Sequence, residues 1–120
     1  MKHLNLNLKA IEIVAGIITE FPTNGEEVLI HYNNDGFELV NFFVQGTVMT
    51  LGLNAAAKTL SPEERLVARM EENPKFVQQF KVDKTGFYKC YPGNGKDGND
   101  SYQFINSSEV SHWMRLPTLG

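Results

Sequence analysis

Val28-Leu29-Ile30-His31-Tyr32-Asn33-Asn34-Asp35-Gly36-Phe37-Glu38-Leu39-Val40-Asn41-Phe42-Phe43-Val44 decides the fold class of this chain. Two runs rich in β-branched and aromatic residues flank Asn33-Asn34-Asp35-Gly36, whose side chains favour turns and tolerate positive φ. The stretch predicts a β-hairpin. After it, Gly46 interrupts the second strand and residues 47–51 predict a third. Before it, Phe21-Pro22-Thr23-Asn24-Gly25 predicts a turn, because proline holds φ and Asn-Gly accepts positive φ.

Working outward, Leu4, Leu6 and Leu8 alternate with polar neighbours, as in a half-buried strand. Residues 10–18 fit two periods. Ile11, Val14, Ile17 and Ile18 share one helical face, whereas Ile11, Ile13 and Ala15 share one strand face; helix is the slightly favoured reading. Ser61-Pro62-Glu63-Glu64 is a helix start, with Ser61 as cap, Pro62 in the first turn and Glu64 closing a capping box. Leu66, Val67 and Met70 form its apolar stripe. Asn73-Pro74 ends that helix and begins another turn, with Phe76, Val77 and Phe80 on its buried side, so the helical segment covers about residues 61–80. Residues 87–91 and 101–105 predict a second hairpin around a long polar tip, residues 92–100. Asn106-Ser107-Ser108 turns the chain into a last element over residues 109–114. His112-Trp113-Met114-Arg115-Leu116-Pro117 reads as a closing plug, large rings docked against a sheet with their polar tips near the surface. The expected fold is α+β: a small, twisted antiparallel β-sheet or partly open barrel, with a helical insertion packed on it.

Bulk properties narrow the function. A chain of 120 residues with 42% hydrophobic and 11% aromatic content predicts one domain, residues 1–120, with a real core. A net charge of -3, from 11 basic and 14 acidic residues, lacks the basic field of a nucleic-acid binder. Cys90 is the single cysteine, so no internal disulfide forms. The N-terminal residues lack an apolar signal region, and residues 11–18 are too short to span a membrane, so a reducing, cytoplasmic setting is expected.

Motifs with chemical meaning are sparse. Gly93-Asn94-Gly95-Lys96-Asp97-Gly98 matches G-x-G-x-x-G, but a strand pattern follows where a dinucleotide site needs a helix; a hairpin tip is the better reading. Asp97, Asn99 and Asp100 lack the register of a calcium loop. His3, His31, His112 and Cys90 have no zinc-site spacing, and neither a metal nor a cofactor is expected. Cys90, between Tyr88 and Tyr91, reads as a core residue rather than a nucleophile. Asp35, Asp83 and Asp97 sit in turn contexts and read as local backbone partners.

Aromatic residues are the better lead. Strand alternation sends Phe42 and Phe43, or Phe87 and Tyr88, to opposite faces, so one set faces a helix, a partner or a ligand. The candidate binding residues are Trp113, Arg115, His112, Tyr91 and Tyr102. Arg115 suits an anionic ligand or a partner's carboxylate.

Two stretches resemble a known family. Thr19-Glu20-Phe21-Pro22-Thr23-Asn24-Gly25-Glu26-Glu27-Val28-Leu29-Ile30, followed by Gly36-Phe37-Glu38-Leu39, and Val110-Ser111-His112-Trp113-Met114-Arg115-Leu116-Pro117 are similar to the opening and closing motifs of a small phage and prophage family, domain of unknown function 551. Its members run LP-x-x-G-x-x-VLV early and end in THWMPLP. The resemblance covers about a third of the chain. The residues before Thr19 and the long middle depart from the family, and Arg115 stands where it has proline. The resemblance implies a shared β scaffold and a phage, prophage or mobile-element origin, and it transfers no catalytic residue. The expected function is therefore non-catalytic: stoichiometric binding of a host or phage protein, with a counter-defence role implied by the resemblance alone, or self-association as a homodimer. The alternative is an anionic or small-molecule ligand held near Trp113 and Arg115, with tyrosines at a dimer interface.

Overall fold

A computed structural model describes residues 9–117. The strands are β1 (Ala10–Glu12), β2 (Glu27–Tyr32), β3 (Phe37–Phe43), β4 (Val48–Leu53), β5 (Val77–Lys81), β6 (Gly86–Tyr91), β7 (Ser101–Ile105) and β8 (Val110–Arg115), with one α-helix, α1 (Pro62–Met70). The fold is α+β and mostly antiparallel sheet. Six strands lie in the order β1-β8-β2-β3-β6-β7, with β1 and β7 as edges, so the sheet is not a closed barrel; β4 and β5 make a separate pair. The residues divide into two compact units. The first holds residues 9–44, 85–89 and 104–117; the second holds 45–84 and 90–103.

In the first unit the predicted hairpin forms as β2 and β3, in register from Glu27↔Asn41 to His31↔Phe37. Its turn closes because Asp35 accepts φ 70° and the Asn34 side chain receives the Gly36 N–H. Alternation then puts Val28, Ile30, Val40 and Phe42 on one face, with Ile13, Phe87, Ile105, Val110 and Trp113 completing the core. Phe42 and Phe87 meet edge-on at 5.9 Å within it. Phe43 and Tyr88 point the other way; Tyr88 meets Phe43 and Phe104 edge-on. Trp113 is wholly buried, and its Nε1–H donates to the Glu20 carbonyl at 3.0 Å. The plug expectation thus fits the indole.

Residues 10–18 are not a helix. Ala10–Glu12 pairs with β8, Ile11 opposite Trp113, and the chain then folds back through Ala15 at φ 53° and Gly16 at φ 76°, closed by a Val14↔Ile17 bridge. Two consecutive positive φ values exclude a right-handed helix there. The strand proposed at Leu4, Leu6 and Leu8, and His3, lie outside the described residues.

In the second unit the helix starts as its sequence predicts: Ser61 caps the Glu64 N–H, and the Glu64 carboxylate receives the Ser61 N–H. These bonds hold the Glu64 carboxyl below the usual carboxylate range. The helix stops at Met70 rather than running on to residue 80. Glu72 adopts φ 51°, Asn73 accepts the Lys75 N–H in a turn, and Val77–Lys81 pairs with β4. Pairing Val77 with Leu53 and Phe80 with Met49 outweighs the helical spacing of the same residues. At residue 52 the β4 bulge demands glycine: φ is 155°, and a Cβ would stand 2.1 Å from the Asn99 amide oxygen.

Candidate functional site

Of the helix α1 only Ala68 is buried. The helix packs against β4 and is held by Arg65, whose guanidinium donates to the Ala57 and Lys58 carbonyls at 3.0 and 3.1 Å. This anchoring takes a small side chain and a polar clamp. It leaves the apolar stripe outward, with Leu66 60%, Val67 51% and Met70 75% exposed. The expectation that this stripe covers the sheet is corrected: the spacing defines a face but not its direction. Beside the stripe runs a groove of about 390 Å³, with Leu60, Val67 and Phe76 as apolar lining and Glu63, Glu64 and Glu71 as carboxylates. One Glu64 oxygen is committed to the helix cap.

The β8 strand carries three of the predicted residues, all in the first unit. Arg115 forks onto Glu26, Nε to Oε2 at 2.7 Å and Nη2 to Oε1 at 3.2 Å, and lies 5.3 Å from the Trp113 ring centre. The guanidinium bond holds the Glu26 carboxyl below the usual range, and the same bond raises Arg115. The carboxylate that faces Arg115 here is its own chain's Glu26, not a partner's. Trp113 offers no exposed surface, so its part is to support the strand from beneath.

His112 joins a network that no sequence spacing announces. A bulge between β2 and β8 sets both Ser111 and His112 against His31. The Ser111 hydroxyl donates to the His31 carbonyl at 3.1 Å. Having one proton, its oxygen accepts from the Nδ1 atoms of His31 at 2.8 Å and His112 at 3.0 Å. The Nε2 atoms face Asp35 at 3.5 Å and Glu12 at 4.0 Å. The ring of Phe37 lies 4.5 Å from that of His31. Asp35 thus faces the imidazole four residues before it as well as shaping its turn. The imidazoles converge on a hydroxyl whose proton is directed to a carbonyl. Among the described residues no group of three or more His, Cys, Asp or Glu side chains is placed to hold a metal ion.

Tyr91 and Tyr102 belong to the second unit. Tyr102 stacks on Phe80 at 5.7 Å. Burial, followed by the neighbouring Cys90 and Asp100, pushes its phenol up to about 12, so it stays neutral through the physiological range. Tyr91 is half-buried, and its carbonyl accepts the Asn94 N–H. Cys90 is half-buried rather than a core residue. The glycine-rich loop is a hairpin tip entering β7. Asp97 accepts the Ala55 N–H, Asp100 the Gly93 N–H, and the Asn99 amide donates to Leu53 and Gln78. The side chains weighed as calcium ligands are thereby structural ties.

Compared with family models, curated proteins and solved structures, the chain matches none. Among the described residues no helix is long and apolar enough to cross a membrane.

Proposed function

We propose that this protein acts by stoichiometric binding rather than catalysis, with the outward face of α1 as its contact surface. The observation that carries this reading is the exposure of Leu66, Val67 and Met70, each more than half exposed on one short helix. Contiguous apolar surface of this kind favours contact with another macromolecule, because covering it removes hydrocarbon from water. The resemblance to the phage and prophage family adds a host protein as the partner and a counter-defence role as its use. Self-association through the same face is the second form of this reading. A ligand pocket at Trp113 and Arg115 receives less support, since the indole is buried and the guanidinium is already forked on Glu26.

The test places a photo-crosslinking p-benzoylphenylalanine at Met70, and at Leu39 as an exposed control, in bacterial cells making the protein. One adduct of defined mass from position 70, absent in Val67→Asp, is the expected result; an adduct of twice the chain mass assigns self-association. No adduct from position 70, or one indifferent to Val67→Asp, contradicts the reading.

A further inference from the structure

We infer that the α1 groove takes a cationic, amphipathic segment of its protein partner, one that sets apolar side chains on the groove floor and lysine or arginine beside its rim. This rests on the binding role proposed above and specifies its chemistry. The floor is apolar, from Leu60, Val67 and Phe76. The rim carries Glu63, Glu64 and Glu71, and the one ammonium placed against the lining, that of Lys75, sits over the Phe76 ring 5.4 Å from its centre. Helical spacing puts Glu63, Val67 and Glu71 on one line, so the two outer carboxylates bracket an apolar centre about two turns apart. Arg65 forms no ion pair with them; its guanidinium keeps its charge and is directed at the Ala57 and Lys58 carbonyls. Among the described residues neither the Glu63 nor the Glu71 carboxylate meets a cation. A segment bearing only apolar groups leaves these charges without compensation. An acidic segment or an anionic lipid surface meets like charge, which opposes association. A basic amphipathic helix satisfies both floor and rim, reading the groove through apolar anchors at i, i+3 and i+4.

The experiment titrates the intact protein with a fluorescent synthetic Leu/Lys amphipathic peptide, its Leu/Glu counterpart, and phosphatidylglycerol vesicles. Two uncompensated surface carboxylates favour the basic peptide about tenfold, and added salt narrows the difference. Glu63→Gln with Glu71→Gln, which keeps side-chain length, removes that preference, and Val67→Asp lowers binding of the basic peptide. Far-ultraviolet circular dichroism of the variants checks that the fold is retained. Equal binding of the two peptides, preference for the acidic peptide or the vesicles, a preference unmoved by the Gln pair, or no binding at all overturns the cationic assignment. Crosslinking at position 70 decides the broader binding role separately, so the two can fail independently.

Discussion

Trp113 on β8 and Val67 on α1 are both apolar side chains in regular elements, yet the fold uses them in opposite ways. Trp113 has no exposed surface, and its single polar atom is bonded to Glu20. Val67 is half exposed, and its helix is secured by Ala68 and by the Arg65 clamp. Around Trp113 the polar groups are paired as well: Arg115 with Glu26, and His31 and His112 with Ser111. The difference separates residues that hold the protein together from residues free to touch something else. A strand side chain held between neighbouring strands is committed to folding. A helix seated on its smallest residue keeps its large ones available.

The largest expected effect breaks the first half of this comparison. Trp113→Ala removes the biggest side chain in the core and should lower unfolding free energy by about 3–5 kcal/mol in urea titration. Met70→Ala, on the outward stripe, should stay within about 0.5 kcal/mol of the parent. Similar losses for both would erase the distinction.

Gly52→Ala tests whether the second unit depends on backbone geometry. The positive φ and the close Asn99 side chain predict a loss of about 1–3 kcal/mol. Ser61→Ala removes one side of the capping box and should cost about 0.5–2 kcal/mol, read from the same titration. If α1 stands on its cap and its clamp, this surface substitution will cost more than Met70→Ala, although neither residue is buried.

The smallest effect concerns Glu26. Its carboxyl is held low in the folded state by Arg115. The resulting stabilisation is complete above the ordinary carboxylate pKa and fades as pH falls through the lowered folded value. Unfolding measured against pH should therefore separate the parent from Glu26→Gln at neutral pH, and the two curves should converge in acid. Parallel curves across the acid range would show that the Arg115 fork adds no pH-dependent stability.

Local chemistry made much of the fold legible. The Asn-Asn-Asp-Gly turn, the Ser61 capping box and the alternation around Phe42 and Phe87 depend on near neighbours, and each appears in the structure. Residues 10–18 and 74–80 carry helical spacing yet do not form helix, because the strand partners that decide them lie far along the chain: Trp113 for Ile11, Leu53 for Val77. The Ser111 network was hidden for a related reason. One extra residue in β8 puts Ser111 and His112 against His31, and an insertion of that kind has no periodic signature. The candidate site was half legible. Leu66, Val67 and Met70 were recognised as one stripe, but periodicity carries no information on whether a stripe faces in or out.

The most direct test is a paired measurement on Val67→Asp: the unfolding midpoint in urea, and the yield of the crosslink from position 70. The account predicts an unchanged midpoint with the adduct lost, because Val67 serves contact rather than folding. A midpoint falling as far as that of Trp113→Ala, or an adduct that persists, would contradict it.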